Sequence, residues 1–457
     1  MARIATVPPP GPAAQISEVL QDRAMSRAQI VAVVLCAVIN MIDGFDILAS
    51  AFTAPDIARA WSVKAAALGL LFSSSLAGMT VGALVLSPLA DHWGRRRVVL
   101  AALGVITIGM LLSAVATSLD LLMASRALTG AGVGAMMPTI NTVVAEVANR
   151  RRRDFCVTLQ SAGFPLGGAV GGLVIYLLPD AGWRSVFAAG GVFSLVLIPA
   201  ALAWMPESLE FLVGRRRGDL ARLNHWLARF RLPPLHELPP AGGFDVARPS
   251  AWRALGWGPA LMCASFFLLM FTFYFLTSWT PKLLTDYGLS RQIGVSGAVL
   301  MNGGGVVGDL LFAGLVLRWP ASRVGPVFMG LTFLSACGFA VTPLRLEFLL
   351  PLALIMGLLL FGSMASLYAL APSVYPAAAR TTGTGAALGL GRIGATLGPY
   401  AGGLLIAQGW DRLSYLTAMA APVAVCMVLV MALGRPRGTR TPAVSQRCAA
   451  SFDGGAA

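Results

Sequence analysis

Charge is scarce in this chain. Asp, Glu, Lys and Arg make up 12% of its 457 residues, against about 25% in an average soluble domain, which argues against a cytosolic enzyme. Lysine is nearly absent: 32 of the 34 basic residues are Arg, and only Lys64 and Lys282 are Lys. The three histidines, His92, His225 and His236, all fall between apolar runs. Proton chemistry inside an apolar run is therefore left to carboxylates. The six cysteines are scattered and none has metal-ligand spacing to another Cys or His, which excludes a disulfide-built scaffold and gives no metal centre. Neither a Gly-x-Ser-x-Gly sequence nor a nucleophile–base pair is legible, so the chain reads as a non-enzyme without cofactors.

Apolar residues are abundant, at 57%. A membrane-crossing helix needs roughly 20 of them, and that requirement predicts twelve spans at 27–52, 65–88, 97–117, 121–144, 156–178, 183–204, 259–280, 294–317, 324–342, 347–372, 383–406 and 411–433. The expected fold is all-α and polytopic, with an uncleaved first helix. Basic residues mark the inner side of a membrane protein. With the N-terminus inside, 25 of the 34 fall in inner segments, seven in outer ones, and two, Arg126 and Arg392, within spans. This clustering in short loops, and not on one solvated face, argues against nucleic acid as the partner of a chain of net charge +14.

The expected organisation is a cytoplasmic segment 1–26, a six-helix bundle 27–204, a cytoplasmic Arg-rich loop 205–258 with a surface helix at Asp219–Phe230, a second bundle 259–433 and a cytoplasmic tail 434–457. The halves echo each other: Gly163 to Gly168 with Gly171 and Gly172 in the fifth span, and Gly394, Gly398, Pro399, Gly402 and Gly403 in the eleventh. A repeated six-helix unit is how many secondary transporters are built, with substrate held near the midplane.

An ionisable residue at the bilayer centre costs roughly 2.5–3.5 kcal/mol on insertion scales, so each one retained is a site candidate. Asp43 and Asp46 share a face of the first span by their i,i+3 spacing, with Asn40 one turn earlier. Two acids in one apolar site repel, so one of them is expected to take up a proton near neutral pH. Arg392 offers a planar fork that fits a carboxylate, and Arg126 either does the same or neutralises a first-span aspartate. For Asp309, pairing, proton carriage and lumen lining are all open. Phe45, Tyr274 and Tyr400 are the aromatic candidates for a flat ring.

Between the second and third spans stands Ser87-Pro88-Leu89-Ala90-Asp91-His92-Trp93-Gly94-Arg95-Arg96-Arg97. It resembles the signature loop of the major facilitator superfamily, and the resemblance makes Asp91, Gly94 and Arg95 parts of a cytoplasmic gate. Arg126-Ala127-Leu128-Thr129-Gly130 is similar to that superfamily's fourth-helix motif, Glu146 before Arg150–Arg153 to its acidic gate partner, and Pro206-Glu207-Ser208-Leu209-Glu210-Phe211-Leu212 to the segment after helix six. Asp43-Gly44-Phe45-Asp46, with Ala54-Pro55-Asp56-Ile57 and Trp61, resembles the aromatic acid:proton symporter family. That resemblance implies import of a small aromatic carboxylate with protons through the inner membrane by a monomer, feeding aromatic catabolism, with both first-helix aspartates involved. The second-half loop Gly314 to Arg323 lacks the acid and the glycine, which weakens any second latch. Competing readings are a porter of another organic acid or sugar and a proton-driven exporter.

Overall fold

The computed structural model describes residues 23–149, 151–177, 182–208, 211–212, 220–235, 257–286, 291–343, 345–375 and 380–433. The expected terminal segments, most of the central loop, His236, Cys448, Arg150 and the Leu209-Glu210 pair lie outside them. Among the described residues the chain is helical, with no strand.

Among the described residues twelve long helices follow in chain order: α1 Arg27–Trp61, α2 Ala65–Val81 (continued by a π turn Gly82–Leu86), α3 Arg95–Ala114, α4 Leu119–Val147, α5 Gly163–Leu177, α6 Gly182–Trp204, α7 Gly258–Asp286, α8 Arg291–Val316, α9 Ala321–Val341, α10 Leu346–Val374, α11 Arg380–Ala407 and α12 Arg412–Leu433. Short helices Leu89–Trp93, Arg153–Ser161 and Leu220–Arg229 lie between them. Hydrocarbon offers no water to satisfy a backbone, so helices that bond internally are the form such apolar runs must take.

Side chains near the ends set where helices start. Ser26 Oγ accepts from Gln29 N at 3.3 Å while Ser26 N donates to Gln29 Oε1 at 2.7 Å, a reciprocal cap for α1. Gln29 Nε2 also donates to Val147 O at 2.8 Å, tying the start of α1 to the end of α4. Asp411 caps α12: Ser414 Oγ donates to it at 2.6 Å and Ser414 N at 3.2 Å. These two hydrogen bonds hold the Asp411 carboxyl below the usual range.

Eleven helices of the described residues are long and apolar enough to cross a bilayer, where twelve were expected. The exception is α11. It has 28 residues, but eight glycines, four threonines and two arginines dilute its apolar character. The first helix runs to Trp61, nine residues beyond the expected end, with Pro55 inside it. The surface helix forms as Leu220–Arg229 and buries Leu223, Trp226 and Leu227. Its Arg229 donates to Ala203 O at 3.0 Å, anchoring it under α6.

α1–α6 and α7–α12 meet along two seams. At the first, α2 packs on α11, where Ser73 Oγ donates to Thr396 O at 2.6 Å, and beside it Phe72 of α2 meets Trp279 of α7 edge-on at 5.3 Å. At the second, α5 packs on α8, where Gly168 leaves room for Asn302 and Gly172 for Val299. The seams are counterparts, since shifting helix numbers by six turns the pair α2/α11 into α8/α5. The first-helix aspartates stand between them, on α1.

Candidate functional site

Asp46 and Arg126 are both fully buried and form an ion pair, Arg126 Nη2 to Asp46 Oδ1 at 2.6 Å. The same nitrogen donates to Asp46 O at 3.0 Å and to Ser75 Oγ at 3.5 Å, and Ser75 Oγ donates to Asp46 Oδ2 at 3.0 Å. Arg126 Cζ lies 5.3 Å from the Phe187 ring centroid, so the aromatic face covers the cation on another side. Of the two alternatives for Arg126, the geometry is the pairing with a first-helix aspartate. Ser75 joins three elements here and was missed; the run Ser73-Ser74-Ser75 in an apolar helix was the available signal.

Asp43 is as buried as Asp46 but lacks such a partner. Its Oδ1 makes no hydrogen bond. Arg392 on α11 is within Coulombic reach of it, across the interface between the halves. The Arg392 guanidinium is half-buried, donates through Nη1 to the Tyr274 hydroxyl at 3.1 Å, and lies 4.0 Å from Met79 Sδ. Arg392 therefore reaches α7, α2 and α1 without forming an ion pair with a described residue. A planar donor held by a phenol and beside an unbonded carboxylate can exchange partners for a bound carboxylate.

Tyr274 belongs to an aromatic group that joins both halves. Its ring lies 5.2 Å from Phe273, Phe273 lies 4.9 Å from Phe361, and Phe164 approaches them at 6.4 and 6.1 Å. Phe164, Phe273 and Phe361 were not singled out from sequence, because apolar aromatics in apolar runs look alike. Tyr368 was missed for the same reason. It exposes 47% of its surface, yet Arg392, Asp43 and Asp309 all lie within electrostatic reach of it. Its ring meets Phe266 of α7 edge-on at 5.6 Å.

The other expected residues have these surroundings. Phe45 packs into the room left by Gly171 and Gly190, within α1–α6 and apart from Tyr274. Tyr400 is 37% exposed and lies where α11 crosses Gly69 of α2. Asn40 is fully buried and donates through Nδ2 to Gln160 O at 2.7 Å, leaving its Oδ1 without a partner. Both side-chain polar atoms of fully buried Gln160 are likewise unbonded, a feature not anticipated. Asp309 is half-buried on α8.

The loop after α2 is a separate construction. Gly94 has φ 97°, and a Cβ there would come within 2.5 Å of Glu207 Oε2. Glu207 Oε1 accepts from Arg96 N at 3.3 Å and from Ser208 N at 3.1 Å, placing a carboxylate at the start of α3 where free N–H groups point. Arg95 Nη2 pairs with Glu146 Oε1 at 3.3 Å, linking α3 to the end of α4. Asp91 lies in the short helix Leu89–Trp93, and its side chain is outside the description.

Two six-helix units meeting at counterpart seams, with an Arg–carboxylate cluster between them, is the build of a secondary transporter. The model of the family described as "Major Facilitator Superfamily" matches residues 34–399. The chain belongs to the major facilitator superfamily. It is a multi-pass membrane protein, and its family is one of transporters, not enzymes. Among relatives of known role, it is 34% identical to the 4-hydroxybenzoate transporter PcaK of Pseudomonas putida, over 93% of this chain and 96% of that one. It is 30% identical to a gallate transporter of Pseudomonas putida, over 96% and 99% of the two chains. Among solved structures it resembles the xylose transporter XylE from E. coli in a partially occluded inward-open conformation, with TM-score 0.69 over 88% of this chain and 97% of that one. At 14% identity that likeness concerns the fold alone.

Proposed function

We propose that this superfamily member imports a small aromatic monocarboxylate of the 4-hydroxybenzoate type with protons, by alternating access between α1–α6 and α7–α12. The observation that carries the reading is Arg392: a half-buried guanidinium, hydrogen-bonded to Tyr274 and within electrostatic reach of Asp43, whose Oδ1 makes no hydrogen bond. The names of the relatives support the aromatic class.

In this mechanism Arg392 captures the substrate carboxylate, which takes over the donor now held by the Tyr274 hydroxyl. Phe164, Phe273 and Phe361 bracket the ring. Asp43 carries the proton: once it is neutral, Arg392 is free for the substrate anion, and once it is ionised it competes for Arg392 and favours release. Asp46, held by Arg126 and Ser75, couples that exchange to α4 and α2. Asn40, one turn from Asp43, and Gln160, whose backbone oxygen holds Asn40, supply unbonded polar atoms. Phe45 and Tyr400 act through packing at α5/α6 and at the α2/α11 seam. Asp91, Gly94, Arg95 and Glu146, with Glu207, form the gate.

α11 is assigned as the twelfth crossing, with both chain ends, the 205–258 loop and the gate on the cytoplasmic side of the inner membrane. The protein works as a monomer in the bilayer, with no nucleic-acid partner and no metal or cofactor.

The test is uptake of radiolabelled 4-hydroxybenzoate into cells expressing the protein, at acid and neutral outside pH, with and without an uncoupler. Uptake should rise at acid pH and collapse with uncoupler. Outward flux under the same inward proton gradient would identify an exporter instead. Absence of flux, with the protein present in the membrane, would move the search to other carboxylates or sugars.

A further inference from the structure

Asp309 is left unused by the mechanism above. It lies inside the candidate span Ile293–Val316 and is half-buried. It makes no ion pair with a described residue. A carboxylate in an apolar span without a cation is costly as an anion, and a bound proton removes that cost.

Its surroundings tie it to the central cluster. Of the helices packed against α8, α10 presents Tyr368, and Tyr368 is within electrostatic reach of Asp309, of Arg392 on α11 and of Asp43 on α1. Tyr368 exposes 47% of its surface and stands on α10, which packs against α8, so its phenol is the group common to Asp309 and the Asp43–Arg392 cluster. Asp43 in the first half and Asp309 in the second are thus both carboxylates well inside a span that make no ion pair with a described residue. Asp46, clamped by Arg126, is not comparable.

We propose that Asp309 is a second proton-binding carboxylate, so that each cycle brings in two protons with one substrate anion. The inference rests on the proton-symport reading above and deepens it. One proton with one carboxylate moves no net charge, whereas two protons with one carboxylate move one positive charge inward. Transport then responds to membrane potential as well as to the pH gradient.

The experiment uses the purified protein in liposomes, with radiolabelled 4-hydroxybenzoate, an imposed pH gradient, and a potassium diffusion potential set with valinomycin. Uptake under the pH gradient alone tests the symport reading, and its absence overturns that reading together with the proposal. With one net charge per cycle, a potential of about 59 mV, inside negative, should raise the accumulation ratio roughly tenfold. A wild-type ratio that ignores the potential overturns the two-proton proposal while leaving symport intact. Asp309→Asn should abolish the potential response, and Asp309→Glu, which keeps a carboxylate, should retain it. A wild-type-sized response in Asp309→Asn overturns the assignment. Infrared difference spectra give a readout independent of transport: a carboxyl carbonyl band that titrates in the wild type should be missing from Asp309→Asn, and identical spectra overturn the proposal.

Discussion

At the scale of single residues, two carboxylates one turn apart have opposite settings. Asp46 is locked to Arg126 and Ser75, and Asp43 is left with an unbonded oxygen. Removing one partner of a buried ion pair leaves the other charge uncompensated and costs about 3–5 kcal/mol, while removing both costs far less. Arg126→Gln alone is therefore expected to lower the melting temperature of the detergent-solubilised protein and its amount in the membrane. The double variant Asp46→Asn/Arg126→Gln should recover most of both, and uptake should stay lost in each. A double variant no more stable than Arg126→Gln would mean that the pair does not neutralise itself.

At the scale of helices, small residues decide how closely elements approach. A Cβ on Gly44 would stand 1.8 Å from Phe164 O, so α1 and α5 touch backbone to backbone there, between Asp43 and Asp46 in sequence. Gly44→Val should force these helices apart and abolish uptake, with a clear loss of thermal stability measured on the solubilised protein. Gly104→Ala on α3 is the control: nothing lies within 4 Å of its would-be Cβ. It should transport normally and melt no lower than the wild type. If Gly44→Val transports at the wild-type rate, close approach of α1 and α5 is not required.

At the scale of the whole molecule, the seams α2/α11 and α5/α8 must open and close if the halves rock. Thr80 Oγ1 and Thr396 Oγ1 lie 3.5 Å apart across the first seam. With the native cysteines replaced, Thr80→Cys/Thr396→Cys should form a disulfide on mild oxidation. Uptake should stop when it forms and return with a thiol reductant. Full transport by the cross-linked protein would exclude movement at this seam.

Much of this architecture is decided by composition. Apolar runs of sufficient length must become helices wherever they lie in hydrocarbon, and basic clusters between them carry the expected orientation, because both properties are local and additive along the chain. Asp43, Asp46, Arg126 and Arg392 stood out for the same reason, since a charge in an apolar run is visible without knowing its neighbours. The exception, α11, shows the limit of that argument: its glycines lower the apolar sum while fitting it against α7 and α2. Which aspartate Arg126 would take, and that Tyr274 would hold Arg392, depended on how helices distant in sequence face one another. The same holds for Tyr368, Gln160 and the group of Phe164, Phe273 and Phe361, whose residue types are common in apolar helices. Phe45 and Tyr400 were ring-contact candidates in sequence; in the structure Phe45 fills the room left by Gly171 and Gly190, and Tyr400 brings its Cα against Gly69 of α2. The sequence by itself determined which charges the membrane must accommodate. Only the tertiary structure decided which of them are neutralised and which are left free to bind, because pairing is a matter of distance between helices and not of position along one.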